Sequence, residues 1–247
     1  MSDEEVKVND NLVLIGGKAS SGKSGSLMNL KNPEGVLYLN CENGKKLPFK
    51  SKFNEVTITD PMDVLDILTE VEDEDNDHIH TVVIDTLTYL MNMYESQYVL
   101  TSANTQKAWG DYAQFGRQLF SKYVANSTKN IIILAHTSDV FSDQGIPLET
   151  LVKVKGSLMD VGIESFFSCV VSAKKVPLRG LKNYENELLN VTEEDKILGY
   201  KHVLQTRLTK DTATERMRSG MGMWDINESF IDCDAQLVLD RLNEFYE

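Results

Sequence analysis

The sequence predicts a three-layer α/β fold, with a mainly parallel central sheet covered by helices on both faces. Three observations point to it. Four short runs, at 12–15, 36–39, 81–84 and 131–134, are almost continuously apolar rather than alternating, the pattern of strands buried on both sides. Segments with helical spacing separate them, as crossovers between parallel strands require. The chain has 247 residues, is 41% hydrophobic and shows no break in composition. One domain over 1–247 is therefore expected, with residues 1–10 as a flexible N-terminus.

The elements follow in order. The first strand, 12–15, lies between Asn11 and the Gly16-Gly17 pair, and a helix over 23–30 is expected to end at Asn32-Pro33. Residues 36–39 form the second strand, 56–59 a short third, and 61–71 a helix with Pro61 in its first turn. After the strand at 81–84, two segments show helical periodicity, 87–99 and 109–124, the second through Tyr112, Phe115, Leu119, Phe120 and Tyr123. The strand at 131–134 ends the strongest part of the pattern. Beyond it a strand at 166–171, a turn-rich stretch to Gly199, a strand at 200–208 and a closing helix at 235–245 are expected.

Composition excludes several functions. The net charge of -13 opposes nucleic-acid binding through a broadly basic surface. No stretch approaches the roughly 20 apolar residues of a membrane span, and the first residues are acidic where a secretory signal is basic, so a cytoplasmic protein without a membrane partner is expected. Cys41, Cys169 and Cys233 lack the spacing of a zinc site or redox pair. The acidic run at 70–77 lacks the glycine and spaced ligands of a calcium loop and reads as a solvated turn.

Gly17-Lys18-Ala19-Ser20-Ser21-Gly22-Lys23-Ser24, followed by Gly25, matches the phosphate-loop pattern G-x-x-x-x-G-K-[ST] and lies between a buried strand and an expected helix. Its glycines let backbone N–H groups turn inward around a β-phosphate, and a helix N-terminus would add positive partial charge. Lys23 is placed to reach the β- and γ-phosphates of ATP, and the Ser24 hydroxyl to ligate Mg2+. Asp85, which ends an apolar strand, is the carboxylate expected to hold the metal; capping the helix after it is the alternative. Glu42, at the end of the second strand, is the candidate base for an attacking water, against the plainer reading of an exposed loop glutamate. His136, at the tip of the fourth strong strand, is either a γ-phosphate sensor or a structural histidine.

Taken together, the phosphate loop after a strand, Cys41-Glu42 after the second, Val82-Val83-Ile84-Asp85 and Leu134-Ala135-His136 resemble the RecA-like recombinase core ATPases, especially the short phage-encoded RecA-like single-strand annealing proteins. The segment Trp109-Gly110-Asp111-Tyr112 is similar to that phage group as well. The resemblance spans most of 11–225, with specific motifs only up to His136. It implies a RecA-like P-loop fold and ATP-dependent homo-oligomeric assembly, as a filament or ring, on single-stranded DNA, with nucleotide between subunits. It makes Glu42 the catalytic glutamate and puts His136 where relatives often carry glutamine. It also implies a basic residue acting on the neighbouring subunit's nucleotide, for which Lys210, Arg216 and Arg218 are candidates, ordinary surface charges being the alternative. DNA-binding loops would fall at 137–150, with Phe141 as a stacking residue, and around Lys153, Lys155 and Gly156; Lys174, Lys175, Arg179 and Lys182 are a reserve cluster. A single-strand binding protein is a further expected partner, and the host cytoplasm the location of a phage-encoded protein. A RecA-like helicase, packaging or partner-loading ATPase, and a small-molecule kinase, are the other functions a phosphate loop allows.

Overall fold

Strand β1 (Leu12–Gly17) explains the layering. Its alternate residues enter different cores: Leu12 and Leu14 pack on one side of the sheet, Val13 and Ile15 on the other, all of them buried. A strand covered on both faces needs apolar side chains at every position, which is why the runs do not alternate. The computed structural model describes residues 9–246. The expected flexible N-terminus lies outside them except for Asn9 and Asp10, and Asn9 is anchored, its side chain donating to the Lys129 carbonyl at 2.8 Å.

The sheet runs β3-β2-β4-β5-β1-β7-β8-β9, with β6 paired to β5. Strands β2 (Val36–Asn40), β3 (Asn54–Thr57), β4 (Thr81–Asp85), β5 (Asn130–Phe141) and β7 (Cys169–Pro177) join β1 in parallel, whereas β8 (Tyr200–Gln205) and β9 (Phe230–Asp232) add an antiparallel edge. On one face lie helices α1 (Asp63–Glu70), α2 (Leu87–Tyr94) and α3 (Thr105–Gln118), the last two prolonged by π-helical turns, Glu95–Val99 and Leu119–Val124. On the other, α7 (Ala235–Tyr246) packs with Trp224, Leu27 and Leu30. This is the three-layer RecA-like arrangement the sequence predicts. Among the described residues, no helix is long and apolar enough to cross a membrane.

Several expectations are corrected. Instead of a helix over 23–30, only a 3-10 turn forms, Ser24–Leu27. Its sequence, Ser-Gly-Ser-Leu, is poor in helix formers, and Asn32 turns left-handed (φ 46°) before Pro33. The helix-terminus contribution to phosphate binding is correspondingly short-ranged, leaving the loop's own N–H groups and Lys23. The third strand sits two residues earlier than expected, and the strand expected at 166–171 begins at Cys169, after a 3-10 turn at Ile163–Phe166. The segment 137–150 is not a loop: β5 continues to Phe141 and pairs with β6 (Pro147–Val152) as a hairpin. The strand expected at 200–208 stops at Gln205, and the stretch before it holds short helices α5 (Leu178–Leu181) and α6 (Glu193–Leu198), after α4 (Ser157–Val161). The acidic run at 70–77 is largely exposed, with Val71 buried and the Glu72 carboxylate accepting from Ser127 and Thr128, and no metal-holding cluster occurs among the described residues.

Candidate nucleotide site

Parallel strands deliver their carboxyl ends to one edge of the sheet, and the predicted residues gather there. Register does this directly: Gly17 of β1 aligns with His136 of β5, and Asn40 of β2 with Asp85 of β4. The phosphate loop then wraps over that edge. Gly22 has φ 104°, and a Cβ there would lie 3.0 Å from both Cys233 Sγ and His202 Nδ1, so backbone conformation and close approach each demand glycine. His202 bonds the loop itself through Nδ1, 3.0 Å from the Ser21 carbonyl.

Lys23 is buried and folds across the loop, donating to the Gly17 and Lys18 carbonyls at 2.8 and 2.9 Å. Burial pushes its pKa down to about 8 against the opposing pull of Asp85 and Glu42. Asp85 is buried, and its Oδ2 accepts from Ser24 Oγ and from Tyr38 OH, each at 2.8 Å. Its side chain is thus turned to the phosphate loop, while the start of α2 at Thr86 receives no side-chain cap, so the capping alternative does not hold. Burial raises the Asp85 pKa above the usual carboxylate range, and the two hydroxyl donors offset part of that. Asp85 Oδ1 is buried with no hydrogen-bond partner, as is Ser21 Oγ in the loop. An unpaired carboxylate oxygen beside a serine hydroxyl fits Mg2+ and its water shell. Ser24 and Asp85 could hold the metal, and the loop from Gly17 to Gly25 the phosphates.

Glu42 is not a surface residue: its side chain is 10% exposed, its Oε2 accepts from Lys45 Nζ at 2.8 Å, and its Oε1 is 3.6 Å from His136 Nε2. His136 stands between the two charged groups, with Nδ1 3.5 Å from Lys23 Nζ. Burial and the Lys23 charge together hold its pKa below the ordinary histidine value. Residues 19–25 of the phosphate loop, Glu42, Asp85 and His136 all line one cleft of about 620 Å³, together with Tyr38, Lys45 and His202. Those last three escape the sequence reading, and only Lys45 carries a local signal, the Asn43-Gly44 turn before it.

The residues expected to act elsewhere are dispersed. None of Lys210, Arg216 and Arg218 lines the cleft. Arg216 is held by a bidentate pair with Glu149 of the hairpin at 2.6 and 2.8 Å, Arg218 donates to the Ser165 carbonyl at 3.2 Å, and Lys210 is exposed. Phe141 stands out near the hairpin tip, 55% exposed. Lys153 is exposed, whereas Lys155 pairs with Glu95 at 2.6 Å. In the reserve cluster, Lys174 is directed inward to Gln205 and Glu215 and is no free surface charge.

A phosphate loop at the carboxyl edge of a parallel sheet, with an acidic residue ending the strand next but one, across β5, defines the class: this is a P-loop ATPase with a RecA-like core. The chain belongs to the AAA domain family AAA_24, whose model matches residues 9–208. No curated protein matches it. Among solved structures it is similar to the KaiC-like protein PH0186 from Pyrococcus horikoshii OT3, at 14% identity over 83% of this chain and 82% of that one, with a TM-score of 0.45. It is similar also to the flagellar accessory protein FlaH from Methanocaldococcus jannaschii, at 12% identity over 80% of this chain and 78% of that one, with a TM-score of 0.36.

Proposed function

We propose that the chain hydrolyses ATP with magnesium and does so as a homo-oligomer on single-stranded DNA, promoting annealing or homologous recombination. The observation supporting hydrolysis is the convergence of Lys23, Glu42 and the Ser24–Asp85 pair on one cleft. Ser24 and Asp85 would hold the magnesium, which would supply positive charge to the phosphate oxygens. Lys23 turns from the loop carbonyls to the β- and γ-phosphates. Glu42 takes a proton from a water whose oxygen bonds to the γ-phosphorus as the β–γ bridging P–O bond breaks, its electron pair leaving with ADP. His136, within reach of both Glu42 and Lys23, carries the change in phosphate charge to the β5–β6 hairpin, whose pairing begins at the next residue, Thr137.

The DNA reading is supported by the sequence resemblance to phage annealing proteins and by that hairpin, with exposed Phe141 to stack on bases and Lys153 for phosphates. Lys210, Arg216 or Arg218 would reach nucleotide only from a neighbouring copy. A helicase-type or partner-loading ATPase is the second reading, favoured by the net charge of -13 and by the pairing of Lys155 and Lys174 with carboxylates. ATP turnover measured with and without single-stranded DNA, with and without a single-strand binding protein, separates them. Stimulation by DNA alone upholds a DNA-directed ATPase, for which annealing of complementary strands against unwinding of a duplex decides between recombination and helicase, and unchanged turnover moves the assignment to the protein-directed class.

A further inference from the structure

Residues 42–45 form a tight chain reversal inside the cleft. The Lys45 N–H donates to the Glu42 carbonyl at 3.1 Å, and the two central residues, Asn43 and Gly44, have φ of 55° and 71°. Positive φ at both is the mark of a type I′ turn, for which Asn-Gly is the favoured pair. Asn40 clamps the turn at both ends, its Oδ1 accepting the Glu42 N–H at 3.0 Å and its Nδ2 donating to the Lys45 carbonyl at 3.0 Å. The first and fourth side chains are thereby brought together, Lys45 Nζ to Glu42 Oε2 at 2.8 Å. Their freedom differs greatly: Glu42 is enclosed, whereas the Lys45 side chain is 71% exposed.

We propose that Lys45 is a second phosphate-binding cation supplied by the same chain, and a latch on Glu42 that only a nucleoside triphosphate releases. The inference rests on the ATPase reading of this cleft. With Lys45 on its Oε2, Glu42 has one oxygen committed to an ion pair and is less available to take a proton from water. An ion pair whose lysine is largely in solvent is weakly held. A terminal phosphate bearing nearly two negative charges, in a site already walled by protein, attracts the ammonium more strongly than a single carboxylate does. The flexible four-carbon stem lets the head group swing while the clamped turn stays fixed. Transfer of Lys45 to the γ-phosphate oxygens frees Glu42 for the water and adds positive charge beside the phosphoryl group being transferred. ADP lacks that phosphate and leaves the latch closed.

The test compares binding of magnesium-ADP and of the imido analogue of magnesium-ATP by the full wild-type chain, Lys45→Ala and Lys45→Arg. Lys45→Ala is expected to weaken the ATP analogue about 10- to 100-fold, the worth of one charge-assisted hydrogen bond. ADP affinity should hold within about twofold, which also reports an intact cleft, and Lys45→Arg should recover most of the analogue affinity. Equal losses for both nucleotides, or no loss for either, overturn the inference while wild-type ATP turnover leaves the ATPase reading standing. A wild-type chain that binds neither nucleotide overturns both.

Discussion

Replacing Tyr38 by phenylalanine removes a single oxygen atom from the site. Tyr38 is 2% exposed, and its hydroxyl donates to Asp85 Oδ2 at 2.8 Å, one of two protein donors on a buried carboxylate whose other oxygen has none. A hydrogen bond to a charged group contributes about 1.5–3 kcal/mol, and the ring volume is kept, so no large cavity offsets the reading. For a chain of this length, about 2 kcal/mol lowers the melting temperature by about 4–8 °C. The loss should depend on pH. Burial raises the folded pKa of Asp85 above its unfolded value of 3.8, so its contribution is fully present below that value and is lost as pH rises through the folded pKa. Tyr38 lowers that pKa by bonding the charged form, so Tyr38→Phe raises it and extends the loss to higher pH. Thermal unfolding of both proteins without magnesium, across pH 5 to 8, reads this directly. A decrement that is independent of pH, or a melting temperature unchanged at pH 8, refutes the view that Tyr38 stabilises a charged Asp85.

Four other outcomes are expected. Lys23→Ala abolishes nucleotide binding; in the wild type, binding weakens as pH rises above about 8, by about tenfold per pH unit, because phosphate needs the ammonium form and the buried free lysine has by then lost its proton, which calorimetry across pH 7–10 would detect. Glu42→Gln keeps nucleotide affinity and loses turnover; full turnover removes Glu42 from the role of base. Arg216→Ala lowers stability by about 1–3 kcal/mol, because besides its partly solvated pair with Glu149 it stands 3.7 Å from the buried Glu164 carboxylate, and reduces hydrolysis only in assembled protein. If mixing this variant with wild type never alters turnover, the trans-acting role is lost to Arg216. Phe141→Ala weakens binding to single-stranded DNA by about 1–3 kcal/mol, measured by fluorescence anisotropy, with ATP affinity unchanged; equal DNA affinity in the variant sinks the stacking assignment.

Which parts could be read in advance follows from the range of the forces involved. The strands β1, β2, β4 and β5 were legible because two-sided burial writes itself into every consecutive position, as in Val13 and Ile15 against Leu12 and Leu14. The phosphate loop was legible because its geometry is local: Gly22 must be glycine for its own φ. Elements without such a local demand were misplaced. The Ser-Gly-Ser segment after Lys23 lies beside a strong motif yet is too weak a helix former to extend it. The β5–β6 hairpin was read as a loop because its partners are remote in sequence: Leu151 and Val152 at its base are buried, and the Asp139–Lys18 and Glu149–Arg216 pairs only flank it.

By itself the sequence determined the class of fold, the phosphate loop and the strand-end positions of Glu42, Asp85 and His136, because strand polarity sends every carboxyl end to the same edge. Tertiary structure alone decided what those side chains touch. Parallel register put Asn40 beside Asp85 and Gly17 beside His136, setting Tyr38 on Asp85 and His136 between Glu42 and Lys23. It also sent Arg216 to Glu149 and Lys174 to Glu215, away from the cleft that their charge would suit. Charge is written in the chain, but the partner that neutralises it depends on distances of a few ångströms between segments far apart in sequence, which only packing fixes.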